Sequence, residues 1–327
     1  MRTIDFSELK RIIESHRGVR TLITFHSIGD TDSVASAFAL SSCFSNAVIV
    51  SPDFITSNSK HVLDKLGFQS GSIRAVFDDS AEFIVMVDVN NFEDCGALKN
   101  KLAETRREIL IIDHHAAQSI EKEPVSVFND ESYNSTSSIV FDIVKALGCG
   151  MDGKTAELLA AGIVSDSAEF RNSTPYTFVQ IGELLRLAGK DYQGLLMDMR
   201  HLASADNRID SIKSLFSSGV VIKNGLVFVF GEGFRANISA DDAIKVGADV
   251  ALFRSISTSE ISFSARLRPL LDKERGIHLG KVMAALAPII NGHGGGHPCA
   301  AGAYGSNANA SKEFVNGFIN AVFNPKA

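Results

Sequence analysis

The sequence predicts an α/β protein with a mostly parallel N-terminal sheet flanked by helices, a helical connector and a smaller C-terminal α+β domain. The chain has 327 residues, and about 150 residues form one typical domain. In the first half, short apolar runs alternate with segments of helical periodicity, which is typical of βαβ units. In the last third, the runs include residues that alternate between apolar and polar, which indicates a second sheet of another kind.

The apolar runs of the first half predict strands that are buried on both faces of a sheet. Each run is continuous, as in parallel strands that are covered by helices on both sides. The runs are Thr21–Phe25, Ala47–Val50, Phe83–Val87 and Leu110–Ile112. The segments of helical period are Thr31–Phe44, Cys95–Glu108, Ser137–Leu147, Thr155–Ile163 and Thr177–Leu187.

A long helical pattern between residues 190 and 219 separates the two predicted sheets. We therefore expect domains at residues 1–190 and 223–327, joined by a connector at residues 191–222. The predicted strands of the second domain are Leu226–Phe230, Val250–Ser257 and Ile261–Arg268. Its predicted helices, Lys281–Leu286 and Ser311–Phe323, flank a glycine-dense loop.

Composition and charge restrict the classes of function. Hydrophobic residues make up 45% of the chain and charged residues 21%, as in ordinary globular proteins. The formal net charge is −6, whereas binding of long duplex nucleic acid requires a concentrated basic face. We therefore expect no long duplex partner. Small phosphorylated substrates and short oligonucleotides remain compatible, because their contacts are few and local.

The sequence predicts a cytoplasmic protein that has no membrane partner. No apolar run approaches the roughly 20 residues of a membrane span, and the start of the chain has no continuous apolar region like that of a signal peptide. The cysteines are scattered without zinc-ligand spacing, so neither a disulfide framework nor a zinc site is predicted. They are Cys43, Cys95, Cys149 and Cys299.

Acidic and imidazole side chains follow four of the apolar runs. They are His26, Asp30 and Asp32 after the first run, Asp88 and Asp113-His114-His115 after two later runs, and Asp166 after the apolar segment Ala160–Ser165. In open α/β sheets, ligands bind outside the carboxyl ends of the strands. We therefore expect these side chains to converge on one site.

So many carboxylates in one site would repel each other unless cations neutralise them. Imidazole and carboxylate ligands without thiolate suit Mn²⁺, with Mg²⁺ and Co²⁺ as alternatives. Two divalent ions would balance four aspartates and would take two histidines as further ligands, a set made of Asp30, Asp32, Asp88, Asp166, His26 and His114. Taken singly, Asp32 could instead cap the helix near Ser33, and His26 could be a hydrogen-bonded core histidine.

The motifs together resemble the DHH phosphoesterase superfamily. His26–Asp32 resembles its first motif, HxxxDxD, and Asp88 resembles its second. Asp113-His114-His115 resembles the triplet after which the family is named, and Gly162–Arg171 resembles the fourth motif. Two departures concern local turns: Ile28-Gly29 stands where Asn-Pro is usual, and Asp166-Ser167-Ala168 stands where Asp-Thr-Gly is common.

This resemblance implies a role for each residue of the site. One ion would be held by His26, Asp30 and Asp88. The other would be held by Asp32, Asp88, His114 and Asp166, so that Asp88 bridges the two ions. His115 would lie beside the substrate phosphate, and Asp113 would orient a neighbouring imidazole. Asp88, His115 and Asp113 are thus the candidate catalytic residues.

The second domain resembles the DHH-associated domain, which implies that it binds substrate and closes over the cleft. Gly292–His297 resembles the GGGH motif of that domain, in which Gly294, Gly295, Gly296 and His297 would contact phosphate. Arg266 resembles the strand arginine of that domain and would clamp phosphate. Arg268 is either a second clamp or a rim cation, and the roles of Arg171 and His293 stay open.

The compact layout resembles the branch of nanoRNase/pAp phosphatases and exopolyphosphatase-related proteins. This implies an enzyme that hydrolyses short oligonucleotides or nucleotide phosphates such as pAp with a metal-activated water. Hydrolysis of polyphosphate or pyrophosphate is the alternative within enzymes. A catalytically silent nucleotide-binding module is the alternative from another class, and the intact ligand set argues against it. A homodimer is compatible with the sequence.

Overall fold

The computed structural model describes residues 2–116, 120, 122–200, 205–233, 235–257 and 260–323. The chain divides into two units, Met1–His201 and Leu202–Ala327, each with its own sheet. Among the described residues, every helix is too short or too polar to cross a lipid bilayer.

The first unit contains a six-stranded parallel sheet, which confirms the predicted fold class. Its strands are β1 (Arg2–Thr3), β2 (Thr21–Thr24), β3 (Ala47–Val50), β4 (Phe83–Val87), β5 (Glu108–Asp113) and β6 (Val125–Asn129). They are arranged in the order β1-β6-β5-β4-β2-β3. Strands β6 and β1 extend the sheet on one side of the four predicted runs, and the predicted run Ala47–Val50 forms the opposite edge.

Helices cover both faces of this sheet. They are α1 (Phe6–Ser15), α2 (Thr31–Ser41), α3 (Ser57–Leu66), α4 (Lys99–Glu104), α5 (Thr136–Leu147), α6 (Gly153–Asp166), α7 (Pro175–Ala188) and α8 (Tyr192–Met199). Val85 packs in one core with α2, α5 and α6, whereas its neighbours Ile84 and Met86 pack in a second core with α4. Because successive side chains of a strand point to opposite faces, a continuous apolar run fills both cores.

The helix predicted over Cys95–Glu108 is shorter in the structure. A 3₁₀ segment at Glu93–Leu98 precedes α4, which ends before Thr105. The backbone at Gly96 is not helical, and a Cβ atom there would lie 2.0 Å from the carboxylate of Asp53. The positive φ of Gly96 interrupts the helix, and the nearby carboxylate of Asp53 leaves no room for a side chain there.

The structure corrects the expectation that the cysteines are unpaired. Cys43 and Cys149 form a disulfide between the ends of α2 and α5, with their Cα atoms 5.2 Å apart. The two residues are 106 positions apart in sequence, so their spacing gave no signal of the pairing. Cys95 and Cys299 are free.

The second unit contains a mixed sheet of six strands. They are β7 (Gly219–Lys223), β8 (Leu226–Glu232), β9 (Val250–Ile256), β10 (Ile261–Leu267), β11 (Gly292–Gly296) and β12 (Ala300–Gly305), in the order β11-β12-β10-β9-β8-β7. All neighbours are antiparallel except β8 and β9. The helices of this unit are α9 (Ala205–Phe216), α10 (Ala236–Lys245), α11 (Leu271–Arg275), α12 (Leu279–Leu286) and α13 (Ser311–Phe323).

Three expectations about this half of the chain need correction. The glycine-dense segment is strand β11 and not a loop, because it pairs along its length with β12. The last residues of the predicted connector, 219–222, belong to β7. Helix α8, also placed in the connector, contributes Leu195 to the core of the first unit. Residues 201–204 of the predicted connector lie outside the described residues.

Candidate metal centre

The structure brings the six predicted metal ligands together at the carboxyl edge of the parallel sheet. They come from five places: the segment after β2, the residue after β4, the residue after β5, the first turn of α2 and the end of α6. The last of these corrects a prediction. Asp166 does not follow a strand, because Ala160–Ser165 is part of α6 and Asp166 is the last residue of that helix.

Asp88 lies at the middle of the site and faces two imidazoles. Its Oδ2 atom is 3.4 Å from Nε2 of His26, and its Oδ1 atom is 3.6 Å from Nε2 of His114. The hydroxyl of Thr136, at the start of α5, donates a hydrogen bond of 3.0 Å to the same Oδ1. Burial alone would raise the pKa of Asp88, but the two imidazoles hold it well below its ordinary value.

The backbone of Asp88 also has an uncommon conformation. Its φ is 59°, in the left-handed region that few residues other than glycine adopt. Its N–H donates to the carbonyl of Ile112 on the adjacent strand, which holds this conformation in place. The turn directs the carboxylate across the edge of the sheet, toward the histidines.

His26 forms one side of the site, together with Asp30 and Asp88. Its Nε2 atom lies 3.5 Å from Oδ2 of Asp30. Burial would lower the pKa of His26, but the two carboxylates outweigh burial and raise it to about 10. The other oxygen of Asp30 accepts the N–H of Ser33, so Asp30, and not Asp32, is the N-cap of α2.

Asp32, His114 and Asp166 form the other side of the site. Nε2 of His114 lies 3.3 Å from Oδ2 of Asp166, yet among the described residues this buried nitrogen makes no hydrogen bond. Burial would lower the pKa of His114, but Asp88, Asp32 and Asp166 raise it to about 9. Burial and the charge of Asp88 raise the pKa of Asp166 to about 6.

Asp32 is buried within the first turn of α2 and is anchored to α5. Its two carboxylate oxygens accept the N–H groups of Thr136 and Ser137 at 2.7 and 2.8 Å. Burial, together with the charges of Asp88 and Asp166, raises the pKa of Asp32. The helix N-terminus partly offsets this effect, since its N–H groups favour the charged carboxylate.

His115 lies beside His114, with the centres of the two rings 4.2 Å apart, and is held by Asp113. Its Nδ1 atom lies 2.8 Å from Oδ1 of Asp113, which is fully buried at the end of β5. The imidazole itself is about half exposed, with 55% of its surface accessible. The hydrogen bond that His115 donates to Asp113 raises the pKa of His115, against the effect of burial.

Two asparagines that sequence reasoning missed hold the backbone of this segment. Asn129 donates from Nδ2 to the carbonyl of His115 at 2.8 Å, and Asn90 donates to the carbonyl of Ala116 at 2.9 Å. Asn129 is the strand partner of Asp113 and Asn90 lies two residues after Asp88. The only signal for these two asparagines in the sequence was that each lies at the end of a strand or shortly after one.

The residues fit divalent cations in number, chemistry and spacing. Ligand atoms of His26, Asp30 and Asp88 lie within 4.8 Å of one another, and so do those of Asp32, His114 and Asp166. Two ligands that are each about 2.1 Å from one cation lie roughly 3.0–3.4 Å apart, close to the contacts described above. The buried nitrogen of His114, which has no hydrogen-bond partner among the described residues, also fits a cation as its missing partner.

The turn after Asp166 lies where the fourth motif departs from the common residues. Its backbone is left-handed at three successive positions. Ala168, Glu169 and Phe170 have φ values of 51°, 54° and 70°. Ala168 occupies the position at which the family that this motif resembles commonly has glycine. Because a positive φ is unfavourable for alanine, this turn costs conformational free energy. Arg171, which follows directly, is exposed.

The second unit has a cavity of about 610 Å³ on one face of its sheet. The predicted substrate residues Arg266 and Gly294–Gly296 line it, together with His293. The Nε atom of Arg266 donates to Oδ1 of Asp241 at 2.6 Å, which orients the guanidinium. No pattern in the sequence indicated Asp241 as a further residue of this cavity.

The structure does not bring the other two predicted substrate residues to this cavity. Arg268 lies beyond the end of β10, where its guanidinium pairs with Asp249 and Glu274. His297 is in the turn after β11 and is not among the described residues that line the cavity. Its backbone N–H donates to the carbonyl of Ala300, which closes the turn.

Comparisons with known proteins agree with this geometry. Residues 20–163 match the N-terminal domain of the DHH family, and residues 236–324 match the DHHA1 domain. The chain belongs to the DHH superfamily of phosphoesterases. It is thus a metal-dependent enzyme that hydrolyses phosphate compounds, which confirms the predicted enzyme class and the prediction of divalent metal ions.

Three relatives of this DHH protein match it over 61% to 89% of its length. An uncharacterized protein of Methanocaldococcus jannaschii is 25% identical over 89% of this chain and 88% of its own length. A probable manganese-dependent inorganic pyrophosphatase of Oceanobacillus iheyensis is 28% identical over 61% of this chain and 65% of its own. A manganese-dependent inorganic pyrophosphatase of Methanothrix thermoacetophila is 24% identical over 81% and 80%.

Among solved structures, the fold is shared with an exopolyphosphatase-related protein from Bacteroides fragilis. The TM-score is 0.75 at 17% identity, with 96% of this DHH chain and 95% of the other covered. The architecture of the two sheets therefore extends over nearly the whole length of both proteins. At this identity the likeness establishes the fold alone.

Proposed function

We propose that this protein is a manganese-dependent phosphoesterase that hydrolyses short oligonucleotides or small nucleotide phosphates such as pAp. One observation carries the proposal: Asp88 presents one carboxylate oxygen to His26 and the other to His114. A carboxylate in this position is suited to bridge two cations. Three further carboxylates around it supply the negative charge that two divalent ions balance.

The donor set favours Mn²⁺ among the divalent ions. All ligands are carboxylate oxygens or imidazole nitrogens, and thiolate is absent from the described cluster. The pyrophosphatases of Oceanobacillus iheyensis and Methanothrix thermoacetophila are named as manganese-dependent. Two bound ions would lower the pKa of a water and neutralise charge on the phosphate oxygens.

The residues of this chain would perform three tasks in the reaction. Asp32 and Asp166 bring negative charge to the second side of the site, and their positions at helix ends keep them there. His115, which is half exposed and held by Asp113, would donate a hydrogen bond to the substrate phosphate or to the leaving oxygen. Arg266 would bind a further phosphate or charged group of the substrate.

The cavity of the second unit favours a substrate larger than pyrophosphate. At about 610 Å³ it falls within the range of about 300–1,000 Å³ that is typical of sites for organic ligands. Its lining includes the side chains of Asn237, Ser264 and Tyr304, which offer hydrogen bonds beyond those a bare phosphate needs. A nucleotide has groups that match both the cationic and the neutral parts of this lining.

Hydrolysis of pyrophosphate or polyphosphate is the second candidate. The curated relatives that are named as manganese-dependent pyrophosphatases favour it. The metal centre alone would serve either class of substrate, because both reactions attack phosphorus with water. The two candidate functions therefore differ in the residues that would hold the rest of the substrate.

A single assay separates these candidates. The purified chain would be incubated with Mn²⁺ and, in parallel, with pAp, a dinucleotide, pyrophosphate and polyphosphate, and kcat/KM would be determined for each. We expect the two nucleotide substrates to exceed the inorganic ones by at least about tenfold. A higher kcat/KM for pyrophosphate or polyphosphate would contradict the nucleotide assignment, and metal binding without turnover of any compound would contradict the enzyme.

A further inference from the structure

Tyr304 is an exposed aromatic residue in the cavity of the second unit, and 68% of its surface is accessible. It lies on β12 and faces the same side of the sheet as Arg266 and Gly295. The few tyrosines of the chain, four in all, make such a placement informative. An exposed ring inside a ligand cavity is available to stack on a planar group.

Strand register defines the neighbours of Tyr304. His293 of β11 and Ser262 of β10 are its partners across the two adjacent strands. Further along the same face, Gly295 and Ser264 are the partners of Gly302 on the two adjacent strands. Arg266 follows, and its strand partner is Ala300. Residues directly opposite on neighbouring strands share a face, so these side chains line one surface.

The ring of Tyr304 leans along the strand toward Arg266. A Cβ atom built on Gly302 would lie 3.8 Å from Cε2 of Tyr304 and 3.9 Å from its hydroxyl oxygen. The ring therefore extends over Gly302, a residue that leaves room for it because it has no side chain. With 68% of its surface accessible, the ring remains available to a ligand.

The spacing along the sheet matches the two ends of a nucleotide. Gly302 and Ala300, the strand partner of Arg266, are two residues apart, which corresponds to about 7 Å along the strand. A ribose spans a comparable distance between a base and its 5′-phosphate. A base on Tyr304 would thus place the phosphate near the guanidinium of Arg266 and the open side of Gly295.

We infer that Tyr304 is a stacking residue for a nucleobase, so that the cavity of the second unit recognises a nucleoside monophosphate group. The inference rests on the proposed function and deepens it, since it names the part of the substrate that is recognised. Stacking is tolerant of sequence because every base has an aromatic face. Tyr304 therefore selects nucleotides over inorganic phosphates without selecting one base.

The test removes the base from the ligand and the ring from the protein. Calorimetric titrations of the full chain with AMP and with ribose 5-phosphate measure how much the base adds to affinity. For the wild type we expect AMP to bind roughly 10- to 100-fold more tightly than ribose 5-phosphate. In Tyr304→Ala this ratio should fall to within about threefold of unity, whereas Tyr304→Phe should retain it.

Phe216→Ala is the matched control, because Phe216 is 89% exposed and is not among the described residues that line the cavity. This variant should keep the wild-type ratio. An unchanged ratio in Tyr304→Ala, or a wild-type chain that binds both ligands equally, would overturn the inference.

The binding ratio is independent of turnover, which separates the inference from the proposed function. If the ratio of the two affinities depends on Tyr304 but no phosphoester is hydrolysed, the proposed enzymatic function is contradicted and the nucleotide site is supported. Hydrolysis with a ratio that does not depend on Tyr304 would support the enzyme and overturn the stacking role.

Discussion

Nδ1 of His115 lies 2.8 Å from Oδ1 of Asp113, a carboxylate with no exposed surface. The pair sits at the end of β5, where Asn129 also holds the carbonyl of His115. A buried carboxylate that accepts from one ring nitrogen determines which tautomer the imidazole adopts. In the neutral imidazole the other ring nitrogen, Nε2, can only accept a hydrogen bond, whereas in the imidazolium it donates. The hydrogen bond to Asp113 raises the pKa of His115 and so favours the form that donates to substrate.

Replacement of Asp113 tests this pairing. Asp113→Asn keeps the size of the side chain but removes the charge that favours the N–H on Nδ1, so we expect kcat to fall about 10- to 100-fold. Bound metal, measured by elemental analysis, should stay at the wild-type level because Asp113 is not among the proposed ligands. A loss of metal in step with activity would instead make Asp113 part of the metal site.

The proposed bridging role of Asp88 is tested by Asp88→Asn. We expect turnover to fall on the order of 10³-fold, since the amide cannot neutralise two cations. The fold should persist, because asparagine tolerates the left-handed φ of 59° at this position better than most residues. Steady-state kinetics together with circular dichroism would check both parts. Activity near the wild-type level would remove the proposed mechanism.

Removal of metal should abolish activity and lower thermal stability. Several carboxylates lie close together in the site, and a cation that binds only the folded state stabilises it by mass action. The measurements are activity and unfolding temperature after treatment with chelator and after return of Mn²⁺. We expect both to recover with Mn²⁺, and full activity in metal-free protein would contradict the assignment.

Two adjacent glycines of β11 should respond differently to alanine. A Cβ atom on Gly294 would lie 2.5 Å from the carbonyl oxygen of Met283, whereas a Cβ on Gly295 would meet no atom within 4 Å. Gly294→Ala should therefore cost about 1–3 kcal/mol of unfolding free energy. Gly295→Ala should fold normally and raise KM, because its methyl group enters the cavity. Equal stabilities in denaturant titrations would contradict this division.

The lowered pKa of Asp78, a residue away from the metal site, predicts that the stability of the fold depends on pH. The hydroxyl of Ser80 and the guanidinium of Arg20 lower its pKa from 3.8 to about 2, despite burial. Because the folded-state pKa is depressed, the stabilisation is complete above about pH 4 and is lost as the pH falls toward 2. We expect Asp78→Asn to lose roughly 1–2 kcal/mol at pH 7.

Denaturant titrations at pH 7 and at pH 2.5 would check this expectation, and the difference from wild type should shrink at the lower pH. Asp79→Asn serves as the control, because Asp79 is 72% exposed and its ion pair with Lys101 lies on the surface. This control should change stability by less than about 0.5 kcal/mol. A deficit of Asp78→Asn that is equal at both pH values would contradict the assigned pKa.

Much of the candidate site was readable in the sequence because its signals are local. A continuous apolar run predicts a buried parallel strand, and a polar residue directly after it lies at the carboxyl edge of the sheet. Asp88 and His114 follow this rule. Asp166 does not, because an apolar segment of six residues has the same composition in a buried helix as in a strand.

The sequence by itself determined the parallel sheet and the set of acidic and imidazole residues, since periodicity and residue type are properties of short segments. Only the tertiary structure decided that Asp32 is anchored by α5, that Cys43 meets Cys149, and that the ring of Tyr304 lies over Gly302. The contacts of Asp32 and of the two cysteines join separate segments through helix packing, and the strand register places Tyr304 opposite His293 and Ser262. Such contacts depend on how separate segments fit together, and no local pattern of residues encodes that fit.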